Sequence, residues 1–132
     1  MPLTRISLLK SKTHQHHRDL MEPVYLAMHE TFDVPADDRF MTVSEYDRDQ
    51  FDCGADYFGI HRSDDLVQIQ ITANNTRTFA QKKALFAAVA SRKAAEPGVR
   101  PEDVLTSLVA VSKENWSFGN GEAQYTPQSE SQ

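Results

Sequence analysis

A chain of 132 residues with a formal net charge of −5 is long enough for one compact soluble domain with a real core and too short for two independent ones. The acidic balance and the scatter of its 14 Lys and Arg residues exclude a general nucleic-acid binder. Cys53 is the single cysteine, so a disulfide framework and a cysteine-based zinc site are excluded, and with no apolar run of membrane-spanning length and no signal-peptide pattern a reducing cytoplasm fits.

In chain order, Pro2 stands directly behind Met1 and opens an alternating run, Pro2-Leu3-Thr4-Arg5-Ile6-Ser7-Leu8-Leu9, that predicts a strand over about 3–9. A helical region follows over about 13–32, with Leu20, Val24, Ala27 and Met28 on its inner face. Pro23 lies inside it and predicts a kink or a restart. A strand at about 40–46 closes the unit. The polar stretch 47–65, carrying Phe51, Tyr57 and Phe58, suits a hairpin or a covering loop. A second strand, helix and strand follow at about 66–73, 78–95 and 104–111. Val67, Ile69 and Ile71 alternate with polar residues in the first of these. Phe79, Leu85, Phe86, Val89 and Ala90 supply the apolar face of the helix, Thr76 is placed to cap it, and Pro97-Gly98 ends it. The polar, Ser- and Gln-rich stretch 122–132 should fray, which leaves a single domain over 1–126 and a tail over 127–132.

The two sets are copies of one unit. A shift of about 65 positions brings Ile6 onto Ile71, Thr13 onto Thr78, Leu20 onto Leu85, Val24 onto Val89, Val34 onto Val99 and Asp38 onto Asp103. A strand, helical crossover and strand normally give a parallel, right-handed pair. Two such units predict an α+β fold: a four-stranded, mainly parallel sheet with both helices on one face. The other face is then bare, and a partner subunit should cover it.

Loss of Met1 would turn Pro2 into a secondary amine held at the start of a strand. A chain-terminal α-amine has a reference pKa of about 7.7–8.0, and burial or a nearby cation lowers it toward neutrality, where it can act as a base. Arg77 lies just beyond the second unit's first strand, a neighbour of the first. There it can depress the proline pKa and grip an anionic substrate with its forked guanidinium; the same spacing suits an ordinary surface arginine. Asp38, in Val34-Pro35-Ala36-Asp37-Asp38-Arg39, suits orientation of the proline or proton shuttling, and equally a turn aspartate. Asp103 at the matching position favours the turn.

Pro2 heading a strand, the doubled unit, Asp38-Arg39-Phe40, and the run Trp116-Ser117-Phe118-Gly119-Asn120-Gly121 followed by Ala123-Gln124-Tyr125 together resemble the tautomerase superfamily. Within it the chain looks most like the malonate semialdehyde decarboxylase-like proteins, over about residues 2–126. The resemblance implies a homotrimer with sites near the subunit boundaries, no cofactor and no metal, and a free N-terminal proline as the catalytic residue. It further implies that Asp38 supports catalysis, that Arg77 binds a substrate carboxylate, and that Trp116 and Phe118 line or support the pocket. His29 matches a histidine of the cis-3-chloroacrylic acid dehalogenase branch, which makes it a substrate-binding candidate, although its flanking residues do not follow that branch; otherwise it is a polar residue near a helix end.

One departure bears on the chemistry. The decarboxylase pattern can carry a second arginine two positions before the one matched by Arg77, and here that position is Asn75. The first functional reading is therefore a proline-based tautomerase acting on a small 2-oxo acid. The alternatives are malonate semialdehyde decarboxylase- or hydratase-like activity on three-carbon acids, and a non-catalytic trimeric binding protein. The other features are weaker. His14, His16 and His17 lack the partners of a metal site and read as a polar helix face. Gly119-Asn120-Gly121 reads as a tight turn presenting Trp116 and Phe118. Cys53 has no activating neighbour in sequence and reads as inert.

Overall fold

The computed structural model describes residues 2–10, 17–95 and 97–125. The elements are β1 (Pro2–Leu9), α1 (His17–Phe32), β2 (Met41–Tyr46), β3 (Val67–Asn74), α2 (Phe79–Ala95) and β4 (Val104–Val111), with short 3-10 turns at Arg48–Gln50, Tyr57–Gly59, Pro101–Asp103 and Lys113–Asn115. The strands form one sheet in the order β2-β1-β3-β4. β1 runs parallel to β2 and β3 parallel to β4, while the central pair β1/β3 is antiparallel. Each unit is thus a parallel pair, and the two units meet head to tail.

The repeat is written into the register. Thr4 faces Met41, and a shift of both members by 65 gives the observed pair Ile69 and Thr106. Arg5 faces Gln70 across the central pair, and the same shift carries one onto the other. That pair therefore marks a twofold axis through the middle of the sheet.

Alternation decides which sheet face is buried. Thr4, Ile6 and Leu8 of β1, Leu20 of α1 and Val67, Ile69, Ile71 and Ala73 of β3 are buried, and Val24, Ala27 and Met28 of α1 share one core with Leu85 and Val89 of α2. Each of the Val, Leu, Ile and Met side chains among them contributes on the order of 1.5–3 kcal/mol when fully removed from water. Leu3, Leu105 and Val109 stand exposed on the opposite sheet face of the single chain.

Several expectations change at the level of elements. α1 runs unbroken through Pro23 rather than restarting there. The buried Pro23 and the packing of the flanking turns hold the helix against its missing donor. The buried stripe of α2 is Leu85, Val89 and Lys93, so Phe79 (74% exposed) and Phe86 do not belong to its core face. The cap of α2 is Thr78, not Thr76. Thr78 Oγ1 accepts from the Gln81 amide at 3.1 Å and Gln81 Oε1 accepts from the Thr78 amide at 2.9 Å, a reciprocal capping box. The far end does stop at Pro97-Gly98: Gly98 takes a φ of 96°, and the amides of Gly98 and Val99 both donate to the Lys93 carbonyl.

The 47–65 stretch contains no strand and is a loop with two 3-10 turns. Arg48 binds Asp64 with two prongs, and Arg62 donates to the carbonyls of Gly54, Tyr57 and Ile60. The loop is anchored by Asp103, which accepts from the Ser63 amide and hydroxyl at 2.7 and 2.6 Å. Burial alone would raise the Asp103 carboxyl, but the bonds from Ser63 and Arg100 outweigh it and hold its pKa below the ordinary value. Cys53 is half-buried and accepts from Gln68 Nε2 at 3.3 Å; burial pushes its thiol pKa up, in keeping with an inert residue. His14, His16 and the 127–132 tail lie outside the described residues. The expected fraying does not hold for Gln124 and Tyr125, which are bound to neighbours.

Candidate functional site

The topology gathers the singled-out residues at one end of the sheet. β1 and β2 begin there, β3 and β4 end there, α1 finishes there and α2 starts there. Pro2 is buried at the head of β1, in register with Ala73 on β3. On its other side the Thr4 amide donates to the Phe40 carbonyl at 2.9 Å, which places the entry to β2 beside the start of β1.

Asp38 sits in that entry, half-buried, with its amide donating to the Pro35 carbonyl at 3.2 Å. One stripe of α1 holds this turn. The Tyr25 hydroxyl donates to the Pro35 carbonyl at 3.2 Å, and His29 donates through Nδ1 to the Val34 carbonyl at 2.8 Å. His29 is exposed and stacks on Tyr25 with ring centroids 6.1 Å apart. The Arg39 guanidinium lies 4.0 Å over the Tyr25 ring and pairs with Glu22. Glu22, Tyr25 and His29 recur at helical spacing, so one face of α1 positions the loop that carries Asp38.

Arg77 lies between β3 and α2. It donates to the carbonyl of Phe32, the last residue of α1, at 2.9 Å, and its guanidinium stands 4.9 Å from the Phe32 ring centroid. It therefore satisfies one of the open carbonyls at a helix C-terminus, where a cation is also favoured by the helix dipole. A guanidinium has five donors, and this contact uses one of its nitrogens. Asn75, where a second arginine was a possibility, gives its amide to the Val111 carbonyl at 2.8 Å.

The C-terminal motif folds over the same end. Trp116 stacks on Phe118 at 6.0 Å, and Phe118 meets Tyr125 edge-on at 5.0 Å. Gly119-Asn120-Gly121 is the expected tight turn, with positive φ at all three positions. Trp116 Nε1 donates to Asn74 Oδ1 at 2.7 Å. Sequence reasoning did not single out Asn74. It is the buried last residue of β3, and a polar residue at the buried end of an apolar strand was the available signal. Among the described residues no group of three or more His, Cys, Asp or Glu side chains is placed to hold a metal ion, and no helix is long and apolar enough to cross a membrane.

The family model for a tautomerase enzyme matches residues 38–119. The chain is also 38% identical over 124 residues to a probable tautomerase, YusQ, of Bacillus subtilis (strain 168), covering 94% of this chain and 98% of that one. This protein belongs to the tautomerase superfamily. Within that superfamily it lies in the malonate semialdehyde decarboxylase-like branch. A malonate semialdehyde decarboxylase, solved as wild type, with its first-position proline changed to alanine, and inactivated, superposes with a TM-score of 0.86 at 28% identity, covering 93% of this chain and 95% of that one. A fused 4-OT solved as a symmetric trimer shares the tautomerase fold at a TM-score of 0.74 and 18% identity, over 91% of this chain and 94% of that one.

Proposed function

We propose that this tautomerase-superfamily member is a cofactor-free, proline-based tautomerase of small 2-oxo acids, working in the cytoplasm. The observation that carries the reading is the convergence of Pro2, Asp38, Arg77 and Trp116 on one end of the sheet, with Pro2 buried at the head of β1. After removal of Met1 the proline nitrogen is a secondary amine. Burial disfavours its charged form and so favours the neutral amine. The neutral amine takes a proton from the carbon beside the substrate carbonyl: the C–H bond breaks, an N–H bond forms, and the electron pair moves into an enolate. The protonated proline then returns a proton to the other end of the enolate, which completes the keto–enol exchange.

Arg77 holds the substrate carboxylate with donors not used on Phe32, and Phe32 fixes the plane of the guanidinium. Asp38 orients the proline, and Trp116 with Phe118 excludes water from the enolate. The exposed sheet face, with Leu3, Leu105 and Val109, is covered by other copies of the chain in a homotrimer. The partners are thus a carboxylate-bearing small molecule and the chain itself.

The test is turnover of phenylenolpyruvate or 2-hydroxymuconate. Replacing Pro2→Ala should lower kcat at least about 100-fold, the scale of a general base, and unchanged turnover would sink the mechanism. Intact mass provides the companion measurement. A retained Met1 makes the proline nitrogen an amide and points to a binding protein without this chemistry.

A second reading is decarboxylation or hydration of a three-carbon acid such as malonate semialdehyde. The likeness to the solved malonate semialdehyde decarboxylase favours it. Asn75, in place of a second cation, weakens it. Carbon dioxide released from malonate semialdehyde, faster than phenylenolpyruvate is ketonised, would put it first.

A further inference from the structure

The segment after β4 is ordered by side chains rather than by a ladder. Lys113–Asn115 makes one 3-10 turn, and from there to Tyr125 the backbone is irregular. Gln124 closes this segment on itself: its Oε1 accepts from the Phe118 amide at 2.9 Å and its Nε2 donates to the Gly119 carbonyl at 2.8 Å. With the Trp116–Phe118 stack and the Phe118–Tyr125 edge contact, residues 116–125 form a self-packed strap. Both ends of the strap are bound to one side chain of the sheet. Asn74 Oδ1 accepts from the indole of Trp116 at 2.7 Å, and Asn74 Nδ2 donates to the hydroxyl of Tyr125 at 3.1 Å. Asn74 is buried and follows Ala73, the register partner of Pro2.

We propose that the Asn74 carboxamide is a latch that holds the 116–125 strap across the Pro2 end of the sheet, and so a positioning residue for the aromatic wall of the site. Its effect on turnover rests on the proline reading above; the latch itself does not. The chemistry singles out an amide. The indole N–H is a donor only and needs an acceptor, and the phenol can receive a donor, so one neutral group supplies both. Alanine at this position leaves a half-buried indole N–H without its acceptor, which costs more than the bond itself contributes. A carboxylate instead accepts from both the indole and the phenol. It keeps the strap in place but adds a negative charge close to Pro2, which favours the protonated amine.

Trp116 is the single tryptophan of the chain, so its emission reads the strap directly. The experiment compares the wild type, Asn74→Ala and Asn74→Asp by tryptophan emission, acrylamide quenching and steady-state kinetics on phenylenolpyruvate. Asn74→Ala should show red-shifted emission and faster quenching, with KM raised about fivefold or more and kcat within about twofold of wild type, the split expected when binding geometry rather than the proton transfer is disturbed. Asn74→Asp should keep wild-type emission and quenching while the acid limb of its pH–rate profile moves to higher pH. If Asn74→Ala does not fold, Tyr125→Phe replaces it; removing one of the two latch bonds should still speed quenching. Wild-type emission and quenching in the folded Ala or Phe variant overturns the latch, as does an Asp variant quenched as fast as the Ala one. If the wild type does not turn over phenylenolpyruvate, the proline reading fails on its own, and the fluorescence still decides the latch.

Discussion

Lys93 is 0% exposed, and its ammonium donates to the backbone carbonyl of Leu20 on the facing helix. Burial pulls its pKa from the ordinary 10.5 down to about 7. The unfolded chain therefore binds a proton at this site throughout the window from about 7 to 10.5, where the folded chain has lost it. Stability should rise with pH across that window and be flat, at its lower level, below it. Urea unfolding at pH 6.5 and pH 9.5 checks this: Lys93→Met should remove most of the slope and raise the low-pH stability by a few kcal/mol, because it deletes a buried charge and keeps the apolar stem. In the sequence Lys93 is a cation in the last turn of a helix, where dipole arguments place it in solvent. Its burial depends on how α2 docks on α1, which no local pattern encodes. The same docking angle turned Phe79 and Phe86 outward. The placement of Pro2 at the head of a strand was legible; the contacts of Asn74, whose partners Trp116 and Tyr125 lie 42 and 51 residues along the chain, were not.

The two caps of the site end differ in kind. α1 ends on a borrowed donor, Arg77, whereas α2 starts on its own capping box, Thr78 with Gln81. The two are coupled because Arg77 immediately precedes Thr78. Thr78→Ala should cost about 1 kcal/mol of stability, the usual worth of an N-cap, seen as a thermal midpoint lowered by a few degrees. It should also raise KM for a carboxylate substrate, since the arginine loses its fixed exit from β3. A second element-scale prediction concerns the α1 stripe. Tyr25→Phe keeps the ring beneath Arg39 but removes the bond to Pro35, and should cost about 1 kcal/mol; we assign His29 to the same task of steadying the Asp38 turn rather than to substrate contact. His29→Asn, which can still donate to Val34, should then retain more turnover than His29→Leu. At this scale the sequence was most informative. Period-two and helical spacing recovered the six main elements, and β4 matches its predicted span. Pro23 misled because tertiary packing overrode a local preference.

As a whole, the single chain has one sheet face packed and one open. Val109→Glu and Leu105→Lys place charge on that open face without touching the core of the chain. Sedimentation should show the proposed homotrimer dissociating toward monomers in these variants, with far-UV circular dichroism retained; an unaltered assembly would place the subunit contacts elsewhere. The twofold axis through Arg5 and Gln70 has a sharper consequence. It carries the head of β1 onto the head of β3, and Pro2 onto Val67. Val67 is an ordinary residue in mid-chain, with an amide nitrogen whose lone pair is delocalised and cannot accept a proton. The axis likewise carries Asp38 onto Asp103, which is spent on Ser63 and Arg100. The doubled scaffold is thus polar in its chemistry: one end can bear a basic nitrogen and the other is committed to bracing a loop. An assembly of any size then holds as many proline sites as it has chains, never twice that number, and a stoichiometric inactivator should titrate to one per chain.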